Sequence, residues 1–211
     1  MSRELYITAS CHISNYTVQK NEQELYAQDA KEPLDFLVGI YHHFALEYPR
    51  FYKMDNLAKL GWLASEILLK DSFDSNAYEP EQTGLILCNA NASLDTDIKY
   101  LATTNEIASP SVFVYTLPNI MTGEISIRNH FKGENAFFIA EYFDAAFLHQ
   151  YVSSLIEENI LQACICGWVE LLDKEYKAVL FLVEKKEGPN SIFFDTENMN
   201  ELFHAKKGYN G

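Results

Sequence analysis

Ser109–Asn135 reads SPSVFVYTLPNIMTGEISIRNHFKGEN, and its reading decides the fold. The stretch ends on the turn residues Gly133, Glu134 and Asn135, after which Ala136–Ile139 (AFFI) has the composition of a strand. Further on, Asp144–Ile156 suits a helix, with Ala145, Ala146, His149, Val152 and Ile156 along one side. Leu161–Val169 (LQACICGWV) and Tyr176–Glu184 (YKAVLFLVE) read as strands. Gly188-Pro189-Asn190 then makes a turn before a short strand at Ser191–Phe194. Before the opening stretch, Thr96–Thr103 reads as a helix. Thr83–Asn89 (TGLILCN), after a turn containing Pro80, is a continuous apolar run that suits a strand buried on both faces. Lys53–Leu69 has helical spacing at Met54, Leu57, Leu60, Ala64, Ile67 and Leu68, and Glu32–Leu46 is a helix stopped before Pro49. Leu5–Ile13 (LYITASCHI) is a β-rich opening strand. Alternating strands and helices predict an α/β fold, and the short turns near the end predict antiparallel closing strands. There is no internal repeat and no low-complexity segment.

Composition limits what the chain can do. Lys and Arg number 16 against 30 Asp and Glu, a net charge of −14. Phosphate backbones and anionic membranes repel such a chain, so nucleic acid and lipid surfaces are poor partners. Arg50, Lys53 and Lys59 form a local basic run against Asp55 alone, which reads as a solvated helix face. With 48% hydrophobic and 14% aromatic residues the chain has ample material for a core. The amino terminus carries no apolar run long enough for a signal peptide, and the longest clean run, Ala178–Val183, is far short of a membrane span. A cytoplasmic setting is therefore expected. The four cysteines, Cys11, Cys88, Cys164 and Cys166, are scattered through apolar stretches, as buried reduced thiols are. Cys164 and Cys166 have no second pair with which to build a zinc site. The neighbours His42 and His43 face different ways on a helix, and His204 falls in a polar tail, so no metal site and no cofactor are expected.

The pieces LPN, GEISIR and FKGEN closely resemble the segment around the nucleophile of β-ketoacyl synthases. That family carries a proline-containing loop, N-x-x-x-G-x-(I/L)-(S/T)-I and, a few residues on, G-P-S. Asn119, Gly123, Ile125, Ser126, Ile127 and Gly133 take those places. Leu5–Ser14 resembles the family's first strand and turn, Arg50–Leu69 its early R-x-x-K-M helix, and Thr83–Asn89 its next core strand. Cys166-Gly167-Trp168 stands where the family has a small residue and two glycines. The resemblance runs from residue 3 to 186, leaving 187–211 as a terminal strand and tail of a single ketosynthase-like domain spanning 1–211. It implies a thiolase-like half-fold: an α/β mixed sheet with helices packed on both faces, corresponding to the amino-terminal half of family members.

The family's catalytic cysteine lies nine residues after the glycine of G-P-S and twenty-five before the later glycine pair. Counted from Gly133 or from Gly167, the position is Tyr142, flanked by Glu141 and Asp144. Ketosynthase chemistry needs a thiolate, made available at a helix amino terminus. A phenol with a pKa near 10 does not replace it, and the acidic neighbours oppose any anion there. No catalytic residue is therefore assigned. Tyr142 reads as an occluding plug, as a group that shapes a pocket shared with a partner, or as core filling. Asn119, Gly123, Phe143 and Trp168 are candidate pocket residues, and neither His130 nor His149 matches the family's partner histidines. Ala9, Cys11 and Trp168, where the family has glycines, add bulk that suggests a filled cavity.

In the family the helix after the nucleophile is buried between two halves, so a lone half should expose an apolar side and form a dimer. The resemblance offers chain-length-factor-like subunits as a precedent, which lack the cysteine and pair with an active subunit. Three functions stay open. One is a non-catalytic partner subunit of a fatty-acid or polyketide (polyene-type) condensing system, a heterodimer with a full-length ketosynthase that meets acyl carrier protein only indirectly. The others are a stand-alone homodimer with a binding or structural role, and a decarboxylase acting on carrier-bound malonyl groups.

Overall fold

A strand buried on both faces belongs at the middle of a sheet with cover on each side, and the computed structural model, which describes residues 4–105 and 107–205, builds that arrangement. In chain order the elements are β1 Tyr6–Ser14, β2 Thr17–Lys20, β3 Gln23–Ala27, α1 Pro33–His43, α2 Asn56–Leu69, β4 Thr83–Asn89, α3 Leu94–Thr103 and α4 Pro110–Phe113. There follow α5 Asn119–Asn129, β5 Asn135–Ile139, α6 Ala145–Glu157, β6 Ala163–Leu172, β7 Glu175–Glu184, β8 Ile192–Phe193 and α7 Thr196–His204. The sheet runs β3-β2-β1-β7-β6-β4-β5, with β8 paired beside β1. β4 is parallel to both β5 and β6, while β7 is antiparallel to β6 and β1. The expected mixed sheet and antiparallel closing strands are present, and all seven residues of β4 are buried.

Side-chain alternation sorts the central strands into two cores. Leu85, Leu87, Ile165, Val169, Leu180 and Leu182 face α1, α2 and α5. Ile86, Cys88, Cys164, Cys166, Phe181 and Val183 face α6 and α7. β1 changes sides part-way: Ile7 joins the second core and Ala9 the first, although they are two residues apart. A register shift between them supplies the extra residue that flips the strand. This places Ala9 and Cys11 on the α2 face, away from Phe143 and Trp168, so their bulk does not fill a cavity near position 142 as expected.

Several sequence expectations shift for local reasons. The strands β2 and β3 were not legible, because TVQK and QELYA are short and lack an apolar alternation. Turns at Asn15-Tyr16 and Asn21-Glu22 connect them, each with left-handed φ at both residues. Asp55 caps α2, its carboxylate accepting the Ala58 amide at 2.8 Å, which starts that helix three residues after Lys53. The basic run is not a solvated face. Lys59 is buried with its ammonium donating to the Met54 carbonyl, and Arg50 pairs with the buried carboxylate of Glu124 at 2.8 Å. The buried stripe of α6 is Ala145, Leu148, Val152 and Ile156, while Ala146 is exposed. Gly167 sits at φ +148°, where a Cβ would meet the Val179 carbonyl oxygen at 2.1 Å. Only glycine fits this crossing of β6 over β7.

The expected polar tail is largely structured, although residues 206–211 lie outside the described residues. Asp195 caps α7 through the Asn198 amide at 2.8 Å, and Met199 and Phe194 are buried against α6 and the sheet. Phe203 stacks on Phe143 with ring centres 4.1 Å apart and planes at 6°. The apolar side that a half-fold was expected to leave open is thus covered in large part by the chain's own last helix. Met199→Ala, a fully buried truncation under α7, is expected to cost about 2–5 kcal/mol in urea unfolding; a change below about 0.5 kcal/mol would show that α7 does not seal this face.

Candidate functional site

Position 142, which the sequence count singled out, lies in the loop from β5 to α6. Ala140 donates its amide to the Asn89 carbonyl at 2.8 Å, tying the end of β5 to the end of β4. Asp144 then caps α6, accepting the Phe147 amide at 2.9 Å. Tyr142 lies two residues before this cap and is 67% exposed. Its side chain is turned to solvent and does not fill the core of this chain. Glu141 is exposed beside it, and the Asp144 carboxylate already occupies the positive end of the helix.

The cavity at this end is filled by Phe143 instead. Its ring stacks on Phe203, meets Trp168 edge-on at 6.5 Å and lies 6.3 Å from Phe181. The four candidate pocket residues do not converge. Phe143 and Trp168 share the α6–α7 face, whereas Asn119 and Gly123 are on α5, which packs its Met121 and Ile125 into the α1–α2 face. His130 ends α5 in a left-handed conformation and is exposed, and His149 packs its ring 5.3 Å from Phe194. Among the described residues no group of His, Cys, Asp and Glu is arranged to hold a metal ion, and no helix is long and apolar enough to cross a membrane.

A fold like this one, with strands in the order β1-β7-β6-β4-β5 and α2 and α6 on opposite faces, is found in solved proteins. "The ishigamide ketosynthase/chain length factor" superposes with a TM-score of 0.61 at 18% identity, over 86% of this chain and 62% of that one. The fold is that of a ketosynthase. A type II polyketide synthase acyl-carrier protein in complex with its ketosynthase gives 0.59 at 15% identity, again over 86% and 62% of the two chains. A ketosynthase in complex with its chain length factor from Xenorhabdus doucetiae gives 0.56 at 12%, over 88% and 80%. The chain therefore spans less than two thirds of the length of the first two. No family model and no curated relative matches it.

Within this ketosynthase fold no thiol is placed for acyl transfer. All four cysteines are buried and free. Burial pushes Cys11 up to about 12, and burial with the Asp144 carboxylate does the same to Cys88. Cys164 and Cys166 are raised by burial as well. Thiolate, the nucleophilic form, is scarce at every one of them.

Sequence reading missed a second place. A cleft of about 850 Å³ opens on the α6–α7 face beyond the end of α7, lined by His12, Ser14, Trp168, Glu170, Lys177 and His204 among others. Its only advance signal was polar residues at alternate positions of apolar strands, at His12 and Ser14 in β1, Glu170 in β6 and Lys177 in β7. His12 Nε2 and Ser14 Oγ share a hydrogen bond at 3.0 Å. Burial first, then the Lys177 ammonium, lowers the His12 imidazole to about 4.

Two measurements follow from these environments. A thiol reagent at pH 8 is expected to label none of the four cysteines in the folded chain and all four in denaturant; fast labelling of one native thiol would reveal a reactive site. Unfolded histidine takes its proton near pH 6.5, earlier than folded His12. Stability from this group is therefore complete above pH 6.5 and falls as the pH drops to 4. His12→Gln should flatten the stability profile in that window by up to about 3 kcal/mol, read by urea titration at each pH. Superimposable profiles would rule this out.

Proposed function

We propose that the chain is a non-catalytic partner subunit of an acyl-condensing system, pairing with a complete ketosynthase. One observation carries this reading: every thiol is buried, and Tyr142, at the position the sequence count gives for the nucleophile, is an exposed phenol. A chain with this fold and no thiolate contributes by binding and shaping. Two of the structural neighbours contain a chain length factor alongside a ketosynthase, which supports the same division of labour here. The polyene-type or fatty-acid pathway proposed from the sequence is a narrower form of the same idea.

The docking surface that fits this role is the edge beyond β5. Among the described residues β5 ends the sheet, with no strand on its outer side. Ile139 on β5 and Ile127 on α5, which packs beside β5, are exposed apolar side chains, and Leu117, Phe113, Leu101 and Ile98 are further exposed apolar side chains on α3, α4 and the segment before α5. An unpaired edge flanked by apolar surface is avoided in monomers and used in complexes. The partner is accordingly a protein with a complementary edge strand, a ketosynthase or a second copy of this chain. The decarboxylase reading lacks support in the geometry, since Phe143, Phe203 and Trp168 fill the space next to Tyr142.

Tagged chain co-expressed with a candidate ketosynthase should co-purify with it, and Ile139→Asp combined with Phe113→Glu should weaken the pair at least tenfold, or about 1.4 kcal/mol. Sedimentation at twice the 24.2 kDa chain mass, with no ketosynthase bound, would favour the stand-alone homodimer. Acyl-carrier turnover by the chain alone would overturn the proposal.

A further inference from the structure

The cleft beyond α7 holds an arrangement that the partner role does not use. Strand register sets Ser14, Lys177 and Glu170 in one cross-strand row over β1, β7 and β6. Opposite charges facing each other on a sheet ordinarily pair. Here Lys177 and Glu170 do not, because each is held from its outer side. The Lys177 ammonium donates to the Phe203 carbonyl at 2.6 Å and sits 3.7 Å above the Phe203 ring. One carboxylate oxygen of Glu170, Oε2, accepts the amides of Ala90 at 2.8 Å and Asn91 at 3.2 Å. Among the described residues Lys177 has no carboxylate partner within ion-pair distance.

Two polar atoms of this cleft are buried without any partner: Glu170 Oε1 and His12 Nδ1. A buried polar atom left unpaired costs about 1–3 kcal/mol, a cost recovered if the Glu170 carboxylate or the His12 ring turns slightly toward an occupant of the cleft. The ammonium has donors to spare, since it can make three hydrogen bonds and, among the described residues, its acceptor is the Phe203 carbonyl. The two poles are fixed, of opposite sign and apart. A simple anion would satisfy Lys177 and face Glu170 and Glu175 as like charges. A simple cation would satisfy the carboxylates and oppose Lys177. A molecule carrying both charges satisfies both.

We propose that this cleft is a binding site for a small zwitterion of the free amino-acid class, with its carboxylate toward Lys177 and its ammonium toward Glu170. Neutral His12 and the Ser14 hydroxyl offer further hydrogen bonds beside the carboxylate end. The Trp168 indole makes part of the wall, and the cleft volume of about 850 Å³ is in the range of small-molecule sites.

The test is titration calorimetry of the full chain with L-glutamine and L-phenylalanine as zwitterions, and with acetate and ethylammonium as the separate halves. At least one zwitterion should bind with Kd below about 1 mM, and each half-ligand at least tenfold more weakly. Lys177→Met and Glu170→Gln should each weaken the zwitterion at least tenfold. Glutamine keeps an acceptor for the Ala90 and Asn91 amides, so the second variant is the milder one for folding. The half-ligand comparison needs no variant, so a misfolded mutant leaves the test intact. No heat with either amino acid, or acetate binding as tightly as the zwitterions, would overturn the proposal. Both results are independent of whether a ketosynthase partner is found.

Discussion

A sheet whose central strands are apolar on both sides must be covered twice, and the whole molecule is arranged to meet that demand. At roughly 25 cal/mol per Å² of apolar surface, neither face of β4, β6 and β7 can be left to water. The α1–α2–α5 layer covers one. On the other, α6 lies over β4 and β6, and α7 completes the cover by laying Phe203 on Phe143 and Met199 into the core. The closing helix is therefore as much part of the fold as the strands it follows.

This constraint separates what could be read in the sequence from what could not. β4 and the later part of β7 were legible because their short apolar runs suit buried strands, and α2 because its spacing is helical over its full length. The hairpins of β2 and β3 were not, since their order comes from left-handed turns and pairing with β1 rather than from an apolar pattern. α7 was hidden for a related reason. Its sequence, TENMNELFH, is mostly polar, and a few residues, chiefly Met199 and Phe203, anchor it. Position 142 was located by counting between two glycines, but exposure is a tertiary property that counting does not supply. The stretch AEYFD contains two aromatics in sequence, and the chain buries the second, Phe143, while turning Tyr142 outward.

The same choice sets the surroundings of the start of α6. A catalytic thiolate at a helix amino terminus needs an open approach and a positive local field. Here the Asp144 carboxylate satisfies that helix end, and the rings of Phe143, Trp168 and Phe203 fill the space on its inner side. Phe143 adds packing at this end, while Tyr142 does not. The four thiols behave likewise: sealed in apolar layers, they serve as small core residues.

Phe203 belongs to both stories. Its ring stacks on Phe143, while its carbonyl, near the negative end of α7, holds the Lys177 ammonium away from Glu170. The separation of charge in the cleft is thus maintained by the docking of the closing helix. Reciprocity then requires that whatever fills the gap between Lys177 and Glu170 also changes how firmly α7 sits, by the same free energy and with the sign set by whether the ammonium keeps its bond to the Phe203 carbonyl. A ligand reached through Lys177's remaining donors would leave that bond in place and tighten α7. One that drew the ammonium toward Glu170 would loosen it and uncover the face that Phe143, Trp168 and Phe203 now close.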